Sequence, residues 1–210
     1  MRTLVIDTAT AACSIALIEG DRIIAATHER VGRGHAERLV AMIADLPGGG
    51  RADQIAVDCG PGSFTGIRVG IAAARGLGLG WGINVQGYSS LPVMAAAHFA
   101  ANPACRAVAI IIEAGHGEVF MQGFTTDPLT ASAPMRSLKP ADAIAALGDR
   151  QGVGSGVRLL AAINPALPLI DALPNAADAR LLPPVFATLD PRPIYGRAPD
   201  AVIPGSGIAP

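Results

Sequence analysis

The chain contains 210 residues, of which 50% are hydrophobic and 16% are charged, and its formal net charge at neutral pH is −1. This composition permits one large domain or two small lobes with a sizeable core, and it excludes an intrinsically disordered chain. The near-zero net charge gives no basic footprint for binding nucleic acid without a partner, although it leaves room for a local arginine patch. The three cysteines lie far apart and form no Cys-x-x-Cys pair, which predicts buried, reduced thiols.

No segment of the sequence is typical of a membrane protein. The longest uncharged apolar stretch, residues 76–101, is interrupted by Gly, Ser, Asn and Pro, so we expect no membrane span. The first strand begins within three residues of Met1, and no charged-then-apolar leader precedes it. We therefore expect a cytoplasmic location.

The first half of the chain changes from a strand pattern to a helix pattern and back. Three apolar runs separated by short polar turns predict an antiparallel meander, and a period of 3.6 residues then predicts a helix. A further strand and a glycine-rich helix follow. The predicted strands are residues 3–10, 13–19, 22–29 and 54–58, and the predicted helices are residues 35–46 and 67–79.

A glycine-rich segment, residues 60–70, joins the fourth strand to the second helix. Strand, glycine turn and helix form a geometry that presents backbone N–H groups to an anion. The segment lacks the Gly-Lys-Ser/Thr ending of a P-loop, and Lys139 is the one lysine in the chain. The loop therefore either binds a nucleotide without lysine or serves as a structural joint. Its candidate residues are Asp7, Thr8, Gly60, Pro61, Gly62 and Ser63.

Asp7 lies at the end of the first predicted strand, where strand ends carry sites in open α/β sheets. The carboxylate could orient a metal-bound nucleotide there. It could equally accept hydrogen bonds from the amides of the following turn. The sequence leaves both roles open.

Small residues recur every four positions along the second helix, at Gly66, Gly70, Ala74 and Gly78. Such a stripe lets another backbone approach closely. Each glycine also lowers helix propensity by about 1 kcal/mol relative to alanine, so a close contact must offset that cost. The stripe packs either against the protein's own sheet or against a helix of a partner, and the pattern alone does not decide between them.

The second half of the chain repeats the plan of strands first and helices afterwards. Residues 106–113 and 118–124 read as two strands joined by a tight turn, and shorter helices follow. We therefore predict a pseudo-duplicated α/β protein with an N-terminal lobe of residues 1–102 and a C-terminal lobe of residues 103–210. The Pro- and Gly-rich residues 190–210 are predicted to form a surface tail, anchored by Tyr195 and Arg197.

The sequence shows no reaction centre. The four histidines form no i, i+4 pair, and neither a His-Glu-x-x-His motif nor a Gly-x-Ser-x-Gly elbow is present. Glu113 and Glu118 flank the predicted hairpin, but solvated strand ends carry such pairs as well. We therefore predict no metal site and no catalytic residues.

Five segments, taken together and in this order, resemble the TsaB (YeaZ) family, relatives of TsaD. They are Leu-Val-Ile-Asp-Thr-Ala-Thr from Leu4, Cys-Ser-Ile-Ala-Leu from Cys13, Gly-His-Ala-Glu-Arg-Leu from Gly34, the whole glycine segment from Gly60, and Gly-Tyr-Ser-Ser-Leu from Gly87. The match covers about the first 120 residues well. It implies a two-lobed actin/Hsp70/sugar-kinase-like fold, each lobe a mixed sheet with helices.

The resemblance also implies a function without catalysis. Family members are scaffold or activator subunits of the bacterial complex that forms N6-threonylcarbamoyladenosine at position 37 of ANN-decoding tRNAs. The implied partners are TsaD as a heterodimer, the ATPase TsaE, and a second copy of the chain when TsaD is absent. tRNA would be contacted only through the complex, and the chain would hold no cofactor of its own, although ATP or ADP could sit at the joint with the partner. The alternative is an independent ATP-dependent phosphotransferase or peptidase-like enzyme of the same fold.

Site residues follow from the same resemblance. The relative TsaD carries two metal-ligating histidines, four residues apart, and the corresponding positions here look like Ser90 and Met94, which do not replace imidazole. Helices 35–46 and 66–78 would instead form a bundle with the partner. The implied interface residues are His35, Glu37, Arg38, Leu39, Met42, Phe64, Gly66, Arg68, Gly70, Ala73, Ala74 and Gly78.

Overall fold

The computed structural model describes residues 1–32 and 34–196 and contains two mixed β-sheets covered by helices. The order of elements predicted for the first half is confirmed: three strands, a helix, a strand and a helix. In chain order these elements and the two that follow them are β1 (Arg2–Asp7), β2 (Ala12–Glu19), β3 (Arg22–Arg30), α1 (His35–Asp45), β4 (Gln54–Asp58), α2 (Phe64–Trp81), β5 (Asn84–Tyr88) and α3 (Ser90–Ala101).

The first sheet has the strand order β3-β2-β1-β4-β5, with β1 at its centre. β1 runs antiparallel to β2 and parallel to β4, and Val5 lies opposite Ala16 and Ala56. Successive side chains of a strand point to opposite faces. Accordingly, Leu4 and Ile6 pack in the cluster under α1 and α2, whereas Val5 packs in a second cluster on the other face. The sheet is therefore buried on both faces.

The second sheet repeats this plan on a smaller scale. Its strand order is β11-β10-β6-β7-β8, with β9 also paired to β7. Its elements are β6 (Ala107–Gly115), β7 (Glu118–Thr125), β8 (Thr130–Ala131), β9 (Arg136–Leu138), α4 (Pro140–Leu147), β10 (Gln151–Val153), α5 (Val157–Ala161) and β11 (Leu169–Ile170).

Helix α3 connects the two sheets and is apolar on most of its surface. Leu91, Met94 and Phe99 pack with the strands of the second sheet, whereas Val93 packs with Val5 of the first. A helix that is buried on nearly every side needs such an all-round apolar sequence. The two-lobed α/β architecture predicted from the sequence is thus confirmed.

The end of the described chain returns to the first lobe. 3₁₀ turns at Ala176–Leu181 and Pro184–Phe186 follow the second sheet, and the Ala176 amide donates to the Ser14 hydroxyl at 2.9 Å. Residues 190–196 then run over the surface of the first lobe, where backbone hydrogen bonds and Tyr195 hold them. Residues 197–210 of the expected tail, including Arg197, lie outside the described residues. The division into lobes at residue 102 stays a prediction.

Among the described residues, no helix is both long and apolar enough to cross a membrane.

The stripe of small residues on α2 faces the protein's own sheet. A Cβ atom on Gly66 would overlap the carbonyl oxygen of Thr8, and one on Gly78 would overlap the side chain of Val85. A Cβ atom on Gly70 would lie 2.5 Å from Oγ1 of Thr8. Of the two alternatives that the sequence left open for the stripe, the structure shows packing inside the protomer. The interpretation of this stripe as a face for a partner helix is therefore wrong.

Helix α2 offers a matched pair of glycines to test this packing. Gly66→Ala forces the helix off β1, because the atom it meets is a backbone carbonyl that cannot rotate away, and overpacking of this kind costs about 1–3 kcal/mol. Gly76→Ala has no heavy atom within 4 Å of the added carbon, so helix propensity alone should stabilise the protein by up to about 1 kcal/mol. Urea unfolding curves would measure both free energies of unfolding, and a neutral Gly66→Ala would contradict this account.

Candidate functional site

Two carboxyl groups are buried side by side at the carboxyl ends of the central strands β1 and β4. Asp7 is 0% exposed and Asp58 is 1% exposed. Asp58 accepts hydrogen bonds from the Gly60 amide at 2.9 Å and from the Ser90 hydroxyl at 2.6 Å. Neither oxygen of Asp7 accepts a well-formed hydrogen bond within the described part of the chain. Asp7 is therefore the polar group of this site that its surroundings compensate least.

Burial controls the protonation of this pair. Burial raises the pKa of Asp7 well above its usual value, and the charge of Asp58 raises it further. Burial also raises the pKa of Asp58 to about 6, against the opposing effect of its hydrogen bonds from Ser90 and Gly60. Two carboxylates this close do not both ionise readily in a dry environment. The pair thus keeps a proton at pH values where exposed aspartates are charged.

Neither Asp7 nor Thr8 lines the cavity described below. The Thr8 hydroxyl donates to the Gly66 carbonyl at 2.7 Å, which ties the end of β1 to the first turn of α2.

Asp58 was missed by the sequence reasoning, although it ends a predicted strand beside the first one. Its signal was an acid directly before Cys59-Gly60 at the end of an apolar run.

The glycine segment is partly a joint and partly a cavity wall. Gly60 has a φ of 100°, which favours glycine, and a Cβ atom there would lie 2.6 Å from Ile67. Pro61 is buried, and a side chain on Gly62 would overlap the Ala9 carbonyl. Ser63 caps α2 by accepting from the Gly66 amide at 3.3 Å. The segment fixes the start of α2, and only Gly62 and Ser63 of its first four residues reach the cavity.

A cavity of about 820 Å³ lies between the two lobes. Its walls are mostly apolar, with hydroxyls at Thr10, Ser63 and Ser155 and an ion pair between Arg158 and Glu113 at 3.3 Å. Residues from both lobes line it: Ala9, Thr10, Ala11, Gly32, Gly62, Ser63, Phe64, Arg68, Ile112, Glu113, Ala114, Gly115, His116, Phe120, Ser155, Arg158, Ile194, Tyr195 and Gly196.

A cation–aromatic cluster stands at the edge of this cavity. The Arg68 guanidinium lies 3.4 Å from the centre of the Phe64 ring and donates to the Tyr195 hydroxyl at 2.8 and 3.1 Å. The Phe64 and Tyr195 rings stack with centroids 5.6 Å apart. The cluster joins the first turn of α2 to the end of the described chain.

The twelve residues expected at a partner interface fall into two groups. Glu37, Arg38, Phe64 and Arg68 are exposed and Ala73 is half-buried. The remaining seven are buried in the protein's own structure, and these are His35, Leu39, Met42, Gly66, Gly70, Ala74 and Gly78.

The buried members of α1 hold the helix onto the first lobe. Nε2 of His35 lies 2.9 Å from the Thr10 carbonyl and 3.2 Å from that of Ala12, so the ring fastens the start of α1 to the β1–β2 turn. Arg38 is exposed but forms a two-pronged pair with Glu29 of β3, with distances of 2.6 and 2.5 Å. For these residues the structure shows intramolecular roles, and the expected roles toward a partner stay predictions.

The outward face of the same helices was missed in part. Val40 of α1 is 66% exposed and Leu79 of α2 is 88% exposed. Helix α2 also exposes three small residues, Ala72, Gly76 and Gly80. A Cβ atom added to either glycine would have no heavy atom within 4 Å. This second stripe also has a period of four, and that was the available signal.

The positions compared with metal-ligating histidines have other roles here. Ser90 is buried and donates to Asp58, and Met94 is a core residue at 5% exposure. Within residues 1–32 and 34–196, no group of three or more His, Cys, Asp or Glu side chains could hold a metal ion.

Comparisons with known proteins identify the family. The family model of TsaD, tRNA N6-adenosine threonylcarbamoyltransferase, matches residues 25–142. The chain is 41% identical over 132 residues to the tRNA threonylcarbamoyladenosine biosynthesis protein TsaB of Escherichia coli, covering 60% of this chain and 56% of that protein. It is 39% identical over 125 residues to TsaB of Haemophilus influenzae, covering 56% of this chain and 51% of that protein.

Solved structures extend the similarity to nearly the whole chain. YeaZ from Pseudomonas aeruginosa superimposes with a TM-score of 0.77 at 27% identity, covering 92% of this chain and 99% of that one. A second Pseudomonas aeruginosa structure, described as similar to peptidase YeaZ, gives 0.79 at 28% identity, covering 93% and 99%. The protein is thus a two-lobed α/β protein related to TsaD. It belongs to the TsaB (YeaZ) family, and it spans about half the length of the curated relatives it matches.

Asp7→Asn should remove the part of the pH dependence of stability that comes from Asp7, while Asp58, whose pKa is raised mainly by its own burial, keeps its part. Because the folded-state pKa values of the pair are raised, the folded state holds protons that the unfolded chain releases above about pH 4. The free energy of unfolding should therefore fall as pH rises from about 4 through 6 and beyond, by up to about 1.4 kcal/mol per pH unit per proton. The neutral Asn should be more stable than the wild type at pH 8.

Urea unfolding at pH 5, 6, 7 and 8 measures this difference, with Asp53→Asn at an exposed loop position as the control. A wild type whose stability does not change over this range, or an Asp7→Asn protein that is less stable at pH 8, would contradict the assignment of a shared proton.

Proposed function

We propose that this protein is a non-catalytic subunit of the complex that forms threonylcarbamoyladenosine in tRNA, and that it acts by binding TsaD. The curated relatives that bear the TsaB name are biosynthesis proteins for this modified nucleoside. The TsaD family model covers α1, α2 and α3 of this chain. A partner of the same family would therefore present comparable helices, and helices of similar shape pack well side by side.

The observation that carries this proposal is the outward stripe of α2. Ala72, Gly76 and Gly80 are exposed and small. Leu79 of α2 and Val40 of α1 are also exposed, on the two helices that cover the same buried cluster of the first lobe. Two glycines on an exposed helix surface lower its propensity without any contact inside the protomer. Close approach of a partner helix accounts for that cost, because small residues allow backbones to come near each other.

The cavity supports a role without chemistry of its own. Its ionisable side chains include Arg158 and Glu113, which neutralise each other, and Arg68, which is held by Tyr195 and Phe64. The buried acid pair is separated from the cavity walls. A nucleophile with an adjacent base is the arrangement that covalent catalysis needs. The hydroxyls of Thr10, Ser63 and Ser155 instead accept hydrogen bonds from the backbone amides of Ala12, Gly66 and Glu113. The contribution to the reaction would then be to position or activate TsaD.

Gly76→Glu tests the docking face without weakening the helix. Glutamate has a better helix propensity than glycine, and nothing in the protomer lies near the added side chain. A charged, bulky group on the stripe should weaken TsaD binding at least about tenfold, because a buried unpaired charge costs more than the 1.4 kcal/mol that a factor of ten represents. Ala145→Glu, exposed on α4 of the other lobe, is the matched control.

Calorimetric titration with TsaD and in vitro modification of an ANN-decoding tRNA provide the two measurements. We expect Gly76→Glu to lose both binding and stimulation, and Ala145→Glu to keep both. Full binding by Gly76→Glu would overturn the docking face alone. A wild-type protein that neither binds TsaD nor stimulates modification, or that turns over ATP by itself, would overturn the proposed function.

A further inference from the structure

A strap of residues 189–196 crosses the first lobe after the chain leaves the second. Leu189 exchanges two backbone hydrogen bonds with Gly87 of β5, at 2.7 and 3.0 Å. The Ile194 amide then donates to the Cys59 carbonyl at 2.8 Å. The strap is thus tethered to the ends of two neighbouring strands of the first sheet.

The fold leaves room for the strap at glycines. A Cβ atom on Gly87 would lie 2.8 Å from the Asp190 carbonyl oxygen, and one on Gly60 would lie 3.2 Å from that of Ile194. Arg75 of α2 donates to the carbonyl of residue 191 at 2.8 Å. Close packing of backbone on backbone along this path indicates that the strap is part of the native structure.

The far end of the strap is held differently from its beginning. Besides the Ile194 amide bond and the packing of the Ile194 side chain on the core of the first lobe, the contact there is the Tyr195 hydroxyl, which accepts from Arg68. The Arg68 guanidinium lies over the Phe64 ring. Phe64 is 57% exposed and Tyr195 is 47% exposed. Segments held by exposed contacts and few buried ones open locally at low free energy. We call the contact between Arg68 and Tyr195 the latch.

The latched end lies at the interlobe cavity. Ile194, Tyr195 and Gly196 all form part of its wall, and a Cβ atom on Gly196 would overlap the Phe120 ring of the second lobe. The strap therefore touches both lobes at the point where the cavity lies between them. While the latch is closed, the guanidinium of Arg68 is bound to a neutral hydroxyl.

We propose that the strap is a lid on the interlobe cavity, that the latch keeps it closed, and that its release admits a small anionic ligand with an apolar body. The cavity wall is mostly apolar, with Ile112 and Phe120 in the second lobe and Phe64 in the first. Release frees Arg68 to pair with an anion, which is a stronger acceptor than a phenol hydroxyl. The lid does not depend on the binding of any protein partner.

The test compares three variants of the whole chain. Arg68→Gln and Tyr195→Phe each break the latch, the second while keeping the arginine. Arg158→Gln is the matched control, because Arg158 also lines the cavity but pairs with Glu113 and not with the strap. Hydrogen exchange of the Ile194 amide reports the lid, and binding of 1-anilinonaphthalene-8-sulfonate reports access to the cavity.

We expect exchange at Ile194 to accelerate about five- to tenfold in both latch variants and to stay at the wild-type rate in Arg158→Gln. The sulfonate probe should bind more tightly to Tyr195→Phe than to the wild type, and weakly to Arg68→Gln, which lacks the cation. Unchanged exchange in the latch variants would overturn the lid. Acceleration that extends to the amides of β1 and β4 would also overturn it, because the latch would then stabilise the whole lobe. Equal probe binding by the two latch variants would overturn the role of Arg68 in anion binding.

Discussion

The fold depends on the contact of helix α2 with strand β1, which is made without an intervening side chain. Gly66 lies against the Thr8 carbonyl, and Thr8 donates its hydroxyl back to the Gly66 carbonyl at 2.7 Å. This close approach fixes where α2 begins. It therefore places Gly62 and Ser63 in the cavity wall and turns the opposite side of α2 to solvent. Internal packing and the outward face are consequences of one contact.

The same close packing explains the unusual chemistry of the strand ends. Asp7 and Asp58 are shielded from water at the ends of β1 and β4, and the pair retains a proton that exposed aspartates would lose. From the sequence alone, Asp7 at its strand end could either orient a metal-bound nucleotide or accept hydrogen bonds from the following turn. In the structure Asp7 and Asp58 are buried, and Asp58 accepts hydrogen bonds from Ser90 and Gly60. The neighbouring cavity is lined mainly by apolar groups, and its Arg158 is paired with Glu113.

The order of strands and helices, the glycine joint and the family could be predicted from the sequence, because periodicity and the motif around Gly60 are local signals. Which side of helix α2 packs against the sheet could not be predicted from the sequence. Gly66 and Gly70 begin one stripe of small residues, Ala72 and Gly76 belong to another, and both have the same period. Period alone does not tell which stripe meets the sheet. The sequence predicted a surface tail anchored by Tyr195 but not the path of the strap, because its other tethers are backbone hydrogen bonds to Gly87 and Cys59, which a proline-rich sequence does not reveal. Likewise, burial of His35 depends on carbonyls of the β1–β2 turn.

The central claim is that α2 uses one small face for its own sheet and the other for TsaD. Thiol labelling of Ala72→Cys in a Cys105→Ser background measures this directly, since the two remaining cysteines, Cys13 and Cys59, are buried. The account predicts rapid labelling of the isolated protein and strong protection when TsaD is added. Slow labelling of the isolated protein, or equally rapid labelling in the presence of bound TsaD, would contradict it.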